Sequence, residues 1–284
     1  MAKTRVHERL LELINVRNIL DNGGFEIWQR GAGPFYSNVF VSADRWNHVF
    51  NAGGTCQIDQ WSVDKISGDY SVKVNVTATS GFYFWQGIEN YKEYLNKTIS
   101  FSAWIKTTSN NVGLSIMKEN LIPIKTTYHS GSGSWEYLTV SFLIPDTITS
   151  LEVGVTIPNP YLALFYMDNA MLVVGSEPVD YVPTPPAEEW ERCQRYYERS
   201  PEPINGLYIS GYGMSPGFGG TCGIPIIFNV KKRAVPNLTI TIAYGSDNVT
   251  GVSAASLHTE GFSVLVFPTS TAGWWVYVYY VVEV

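Results

Sequence analysis

Ile99-Ser-Phe-Ser-Ala-Trp-Ile105 is a short apolar run in which Ser100 and Ser102 alternate with apolar residues, a pattern typical of a β-strand. Other short runs in the first two thirds of the chain have a similar pattern, and clusters of Gly, Ser, Asn and Pro separate them. No long helical pattern interrupts the runs, which disfavours a parallel βαβ architecture. The spacing therefore predicts a β-sandwich from Asn22 to about Val182. The other runs are Tyr70–Val76, Tyr137–Leu143 and Leu151–Ile157.

A helix and a second, shorter β region follow. Tyr181-Val-Pro-Thr-Pro-Pro186 is a stiff, extended linker, and the helical pattern from Ala187 to Arg199 has Glu–Arg pairs four residues apart. After Ser200 the sequence predicts a small, separate sandwich of about 85 residues. Its candidate strands are Gly206–Ser210, Gly223–Val230, Leu238–Ala243, Phe262–Phe267 and Trp274–Val284.

The N-terminal segment has a third pattern. Val6, Leu10 and Leu13 follow the four-three spacing of a coiled-coil seam, within a helix predicted from about Thr4 to Val16. This helix would either pack on its own domain or serve to multimerise or anchor the protein. We therefore divide the chain into an N-terminal anchoring or multimerising helix (1–20), a β-sandwich (21–183), a linker helix (184–200) and a C-terminal β domain (201–284).

Charge and hydrophobicity restrict the partners. The formal net charge is −6, and Lys231-Lys232-Arg233 is the one cluster of basic residues, so nucleic acid and anionic membranes are not expected as partners. The longest apolar run, Trp274 to Val282, is too short to cross a bilayer as a helix, so no membrane span is expected. The N-terminus lacks the apolar core of a signal peptide, which predicts synthesis in the cytoplasm.

The large aromatic residues of the first β region are candidates for stacking against a sugar, although we expect most of them to lie in the core. The run Gly81-Phe-Tyr-Phe-Trp-Gln86 is unusually aromatic and begins at a glycine, so Tyr83 and Trp85 are the preferred exposed rings. Asn47 and Gln86 would supply amide hydrogen bonds to the sugar. The full set is Trp28, Tyr36, Trp46, Trp61, Tyr83, Trp85, Trp104 and Trp135.

Catalysis is not indicated. Cleavage of a glycoside requires two facing carboxylates, and no motif identifies such a pair. His48, His129 and His258 do not occur in a metalloprotease or serine-hydrolase motif. The glycine-rich stretch Ser210–Gly220 lacks the Gly-Lys-Ser/Thr ending of a phosphate-binding loop, so it indicates a mobile tip or a contact between subunits. We therefore expect no catalytic residues and no enzymatic activity.

Two motifs near the start of the β region resemble a known family. Asn22-Gly-Gly-Phe-Glu-Ile-Trp-Gln-Arg-Gly31 and Ser42-Ala-Asp-Arg-Trp46 resemble the opening of the jelly-roll domains of phage tail-fibre and head-fibre proteins, which are similar to carbohydrate-binding modules of glycoside hydrolases. The resemblance extends to about Tyr181 and implies an all-β, jelly-roll sandwich. The later motifs that share it are Gly68–Val74, Phe84–Gln86, Ile99–Lys106 and Phe165–Leu172.

The second half of the chain carries a further resemblance. Trp190-Glu-Arg-Cys-Gln-Arg-Tyr-Tyr-Glu198 and Phe228–Ile240 resemble the linker helix and C-terminal domain of phage fibre proteins. This implies a structural protein on the virion surface, either a short fibre or a capsid decoration subunit. A homotrimer would bind other virion proteins through its N-terminal segment and host-surface polysaccharide through its jelly roll. The alternatives are a polysaccharide depolymerase and a sugar-binding module of a cellular glycoside hydrolase.

The same resemblance implies one structural calcium ion. In such modules calcium often joins the first strand to the last, through the acid of the opening Gly-x-Phe-Glu motif and the Asp of a closing Asp-Asn motif. Glu26 and Asp168 occupy those positions here, and backbone carbonyls near Gly68 and Ser71 would complete the oxygen ligands. The alternative is that Glu26 only accepts backbone hydrogen bonds and Asp168 caps a turn.

Overall fold

The fold is described from a computed structural model, in which the chain divides into two compact units, Met1–Glu189 and Trp190–Val284. The predicted helix from Thr4 lies, except for Val16, outside the described residues, as does most of the glycine-rich stretch. In the part of the chain that is described, no helix has both the length and the apolar character needed to cross a membrane. The described residues are 16–36, 42–51, 53–78, 81–200, 207–211, 221–269 and 273–284.

The first unit is a jelly-roll β-sandwich of two antiparallel sheets. Its strands are β1 (Phe35–Tyr36), β2 (Asn47–Phe50), β3 (Thr55–Trp61), β4 (Ser71–Ala78), β5 (Phe82–Gly87), β6 (Thr98–Thr107), β7 (Gly113–Lys118), β8 (Ile122–Tyr128), β9 (Trp135–Leu143), β10 (Leu151–Ile157) and β11 (Ala163–Val174). The six-stranded sheet has the order β1-β3-β4-β11-β6-β9, and the five-stranded sheet has the order β2-β5-β10-β7-β8. The predicted all-β fold is thus confirmed.

Alternation along the strands builds the core between the two sheets. In β6, Phe101, Ala103 and Ile105 are fully buried, whereas Trp104 and Lys106 lie on the other face and are half-buried. Side chains of successive strand residues point to opposite faces, so the pattern that predicted this strand also assigns its two faces.

The Asn22-Gly-Gly-Phe motif is structural. Asn22 has a positive φ of 53°, and its side chain donates hydrogen bonds to the carbonyl oxygens of Ile27 (2.8 Å) and Asp44 (3.0 Å). A Cβ on Gly23 would lie 2.2 Å from the carbonyl oxygen of Ala170 in β11. Only glycine allows this approach of the N-terminal segment to the last strand.

Two buried titratable residues, Asp44 and His48, follow this motif in the sequence. Asp44 accepts hydrogen bonds from the side chains of Gln29 (2.7 Å) and Arg30 (3.0 Å). Burial raises the pKa of Asp44 to about 6, although the Arg30 guanidinium opposes the shift. Burial lowers the pKa of His48 to about 4, so this imidazole is neutral at pH 7.

The second unit is a smaller sandwich. Its strands are β12 (Tyr197–Arg199), β13 (Leu207–Gly211), β14 (Cys222–Ile227), β15 (Asn237–Asp247), β16 (Val249–His258), β17 (Gly261–Pro268) and β18 (Trp274–Glu283). One sheet has the order β12-β18-β13, with β15 also paired to β18, and the other has the order β14-β17-β16. Alternate residues of β17 and β18 form a common core, including Phe262, Val264, Val276 and Val278.

Two features of this region differ from the sequence-based expectation. The helix α1 (Pro186–Gln194) is shorter than predicted, because Tyr197, Glu198 and Arg199 pair with β18 as a strand. Strand β16 was not predicted, because Val249–His258 consists largely of Gly, Ser, Ala and Thr and shows little hydrophobic alternation.

A buried ion pair lies within this second unit. The Lys232 ammonium and the Glu198 carboxylate form a salt bridge, and both side chains have 0% exposure. Lys232 also donates to the carbonyl oxygen of Gln194 (2.7 Å), while Tyr280 (3.1 Å) and Asn229 (3.2 Å) donate to Glu198. Every member therefore has a partner, as buried charges require.

Candidate functional site

The outer face of the five-stranded sheet carries the two rings that the sequence singled out. Strand β5 directs Phe82 and Phe84 into the core, so Tyr83 and Trp85 point to the other face, where both are half-buried. Trp85 lies directly opposite Asn47 of β2. The structure thus brings together three of the four residues predicted for sugar binding. We call this surface, which also includes residues of β7 and β10, the β5 face.

Gly154 of β10 lies between Trp85 and Ser115 of β7 in the middle of the β5 face. A Cβ at Gly154 would be 2.0 Å from the carbonyl oxygen of Phe84, so this position has to remain without a side chain. On the far side, the Ser115 hydroxyl is 2.9 Å from that of Thr156. Gly154, Ser115 and Thr156 are buried, so the accessible part of the β5 face is formed by the half-buried rings of Tyr83 and Trp85 and by Asn47.

Glu152 adds a carboxylate to the same face. It lies opposite Gly87 on one side and Met117 on the other, and 9% of its surface is exposed. Burial raises the pKa of Glu152, and the nearby Glu119 carboxylate adds to the rise. Sequence analysis missed this residue, because β10 is buried along both faces and its surroundings cannot be inferred from alternation.

Two buried polar atoms near the β5 face have no hydrogen-bond partner among the described residues. They are the indole Nε1 of Trp85 and the Oε2 of Glu152. Leaving such a group unpaired costs about 1–3 kcal/mol. One of the two is a donor and the other an acceptor.

Gln86 has a different role from the one expected. It is 1% exposed, its Oε1 accepts from the backbone N–H of Asp21 (2.8 Å), and its Nε2 donates to the Asp21 carbonyl oxygen (2.7 Å). Alternation places it on the side opposite Trp85. Gln86 therefore fixes the N-terminal segment, and both ends of its amide are already engaged there.

The expectation that most of the large aromatics lie in the core was wrong. Trp28 and Trp46 are buried, whereas Tyr36 is 59% exposed. The remaining rings of the set, Trp61, Tyr83, Trp85, Trp104 and Trp135, are half-buried.

Glu26 and Asp168 converge on one turn, formed by residues 66–70. The Glu26 Oε1 accepts from the backbone N–H of Asp69 (2.8 Å), and the Asp168 Oδ2 accepts from that of Ile66 (2.7 Å). Burial raises the pKa of Asp168 to about 6, three backbone hydrogen bonds oppose the shift, and the Glu26 carboxylate adds to it.

These two carboxylates suit calcium in their chemistry. They are hard oxygen donors close enough to repel each other, and a cation would relieve that repulsion. Among the described residues, no group of three or more His, Cys, Asp or Glu side chains could hold a metal, so backbone carbonyls would have to complete the ligands. The hydrogen bonds to the turn equally fit the alternative without metal, and calcium stays a prediction.

Calcium binding predicts a response to chelation. EGTA should lower the thermal midpoint, since an ion that binds only the folded state stabilises it by mass action, and added calcium should restore it. Asp168→Asn should abolish the response. Without the ion, the raised Asp168 pKa makes the folded state favour the proton, so the EGTA-treated protein should gain stability between pH 7 and 5. An unchanged midpoint in EGTA, with no metal in elemental analysis, excludes the site.

No protein-family model matches the sequence, and no curated protein matches it. Solved structures of low similarity do match a part of the chain. One is the enzymatically active domain of tailspike protein 4 of bacteriophage CBA120, with 11% identity and a TM-score of 0.37. That match covers 56% of this chain and 21% of the tailspike chain, so this chain spans about a fifth of that relative.

Two carbohydrate-binding modules are also similar. TmCBM61, solved with β-1,4-galactotriose, has 16% identity and a TM-score of 0.38, and the match covers 56% of this chain and 99% of the module. The CBM22-1 xylan-binding domain of Paenibacillus barcinonensis Xyn10C has 10% identity and a TM-score of 0.38, with coverage of 57% and 97%. Because these scores are low, the fold rests on the strand order and register given above.

Proposed function

We propose that the jelly-roll unit binds glycans on the β5 face, and that the protein is a structural component of a bacteriophage surface. One observation carries the glycan proposal: the partly exposed ring of Trp85 lies directly opposite Asn47 on an outward face of the five-stranded sheet, on the same strand face as the half-buried ring of Tyr83. A sugar would stack on the ring and form hydrogen bonds with the Asn47 amide. The virion location is supported by the resemblance of four motifs, residues 22–31, 42–46, 190–198 and 228–240, to phage fibre proteins.

The proposal includes a homotrimer that attaches to other virion proteins through its N-terminal segment, as a short fibre or capsid decoration. Strand β18 supports self-association, because Trp274 and Tyr280 fill the core while Trp275 and Tyr277 lie half-buried on the opposite face. Light scattering should give three chain masses at micromolar concentration, and a stable monomer would contradict the trimer. Antibody labelling of particles in electron microscopy tests the location.

Removing the rings of the β5 face should weaken glycan binding without unfolding the protein. Trp85→Ala and Tyr83→Ala should each reduce affinity for host-surface polysaccharide about tenfold, since an aromatic contact contributes about 1–1.5 kcal/mol. Both side chains are half-buried outside the core, so the thermal midpoint should change little. Adsorption of the purified protein to host cells and to extracted polysaccharide measures the effect.

Trp190→Ala is the matched control for these variants. Trp190 is 44% exposed and lies on α1, outside the β5 face. Its removal should leave adsorption unchanged. Equal losses in the Trp190 and Trp85 variants would show that adsorption does not depend on the β5 face.

A polysaccharide depolymerase is the second candidate, and one pair of residues favours it. Burial raises the pKa of Glu152, while hydrogen bonding, first from the backbone N–H of Thr149, lowers the pKa of nearby Glu119. Two carboxylates with opposite shifts are what an acid and a nucleophile or base require in glycoside cleavage. Release of reducing ends from host polysaccharide, lost in Glu152→Gln, would establish this activity. Absence of release across several hosts would remove it.

A further inference from the structure

The outer face of the six-stranded sheet carries a second group of aromatic and basic side chains, on the opposite side of the sandwich from the β5 face. Tyr166 of β11 lies directly opposite Lys73 of β4 and Lys106 of β6, and Lys106 lies opposite Trp135 of β9. Directly paired residues share a face, so these side chains form one row across the sheet. Together with Trp61 at the end of β3, we call them the aromatic row.

The rings of the aromatic row lie close together although they come from distant parts of the chain. The ring centroids of Trp61 and Tyr166 are 6.2 Å apart, and those of Tyr166 and Trp135 are 6.4 Å apart. All three side chains are half-buried, so part of each ring is accessible. The planes of neighbouring rings are tilted by 47° and 58°, so each ring offers a separate contact to a ligand.

One end of the aromatic row is held in place by a carboxylate. Asp64 forms a salt bridge with Lys106 and accepts a hydrogen bond from the Trp135 Nε1 at 2.9 Å. The charge of Lys106 is therefore matched within the protein, and the Trp135 ring is fixed in orientation.

The other end has a cation without an acidic partner. The Lys73 Nζ lies 4.0 Å from the centroid of the Trp61 ring, and no described carboxylate forms a salt bridge with it. Asp59 is directly opposite Lys73 in the sheet, but both of its carboxylate oxygens accept hydrogen bonds from the Gln57 Nε2 (2.9 and 3.1 Å). The Lys73 ammonium is thus oriented by a ring and remains able to receive an anion.

We propose that the aromatic row is a second glycan site, specific for an acidic oligosaccharide. One sugar ring stacks on Tyr166 and its neighbours, and a carboxylate of the sugar accepts hydrogen bonds from Lys73. A neutral sugar would contact the rings but would bring no carboxylate to the Lys73 ammonium. We therefore expect acidic sugars to bind more tightly than neutral ones. This site shares no residue with the β5 face, and its existence does not depend on glycan binding there.

Calorimetric titration tests the proposal with two acidic probes, trigalacturonic acid and sialyllactose, and the neutral β-1,4-galactotriose. We expect at least one acidic probe to bind, with affinity that falls as salt rises. Lys73→Met, which keeps an unbranched apolar side chain over Trp61, should weaken acidic binding about fivefold and remove most of the salt dependence. Tyr166→Leu should weaken it further.

Two controls separate this site from the β5 face. Lys97→Met removes an exposed lysine outside the row and should leave acidic binding unchanged. Trp85→Ala should also leave it unchanged, even if neutral glycan binding is lost. The proposal is overturned if neither acidic probe binds, if Lys73→Met binds as tightly as wild type, or if Trp85→Ala abolishes acidic binding. Lys73→Met alters one half-exposed side chain, so the test does not depend on Tyr166→Leu folding.

Discussion

Lys232→Met should lower the free energy of unfolding of the second unit by about 3–5 kcal/mol. The variant removes the cation but leaves the Glu198 carboxylate at 0% exposure, with only the neutral donors of Tyr280 and Asn229 beside it. A buried charge without a counter-ion is among the most destabilising single changes. Urea unfolding followed by circular dichroism measures the difference.

The adjacent lysine provides the control. Lys231 forms a salt bridge with Glu260, but their side chains are 67% and 60% exposed, so Lys231→Met should change stability by less than about 1 kcal/mol. The double variant Lys232→Met/Glu198→Leu should recover part of the loss, because it removes both charges. A loss below about 1 kcal/mol for Lys232→Met alone would mean that water reaches the pair.

Trp46→Ala should destabilise the first unit by about 3–5 kcal/mol. Trp46 is 0% exposed, and its ring centroid lies 5.2 Å from that of Phe84 and 5.1 Å from that of Phe25. Its indole N–H also donates to the Asn22 carbonyl oxygen at 3.0 Å. Alanine would leave a large cavity and an unpaired carbonyl at the centre of the sandwich. Thermal unfolding monitored by circular dichroism tests this.

Trp85→Ala provides the comparison for Trp46→Ala, because it also replaces a tryptophan of the first unit by alanine, but outside the core. It should leave stability within about 1 kcal/mol of wild type while reducing glycan affinity. If Trp46→Ala were tolerated equally well, the packing of Trp46 between Phe25 and Phe84 would not be a major contribution to the fold.

Sequence patterns were sufficient for the strands that have one buried face. Ile99–Ile105 lies inside β6, and Tyr137–Leu143 lies inside β9. The patterns failed where tertiary pairing decided the conformation: residues 197–199 continue a helical pattern but pair with β18, and 249–258 has too few large apolar residues to be recognised as a strand. Pairing partners distant in sequence are not visible in local periodicity.

The candidate site could be predicted only in part, because some of its residues become neighbours only through strand pairing. Tyr83 and Trp85 were chosen because the run Gly81–Gln86 is aromatic and begins at a glycine, and the structure places both on an outward face. Alternation along the same strand would have placed Gln86 on the opposite side, and it was not applied to that residue. Glu152 and Gly154 could not be assigned, because their position beside Trp85 depends on the register between β5 and β10. Likewise, the aromatic row gathers residues from five strands, and only the sheet order makes them neighbours.

The pKa of Asp44 is raised and the pKa of His48 is lowered, so the two residues have opposite effects on the stability of the first unit as the pH falls. Acidification from pH 7 stabilises the fold through Asp44, because its carboxyl takes up a proton near pH 6 when folded but near 3.8 when unfolded. It destabilises the fold through His48, because the imidazole has a pKa near 6.5 in the unfolded chain and about 4 in the folded protein. At pH 5 each effect amounts to roughly 1–2 kcal/mol, with opposite sign. The two contributions to the free energy of unfolding therefore largely cancel in mild acid. A variant that lacks one of the two residues should show the pH dependence caused by the other.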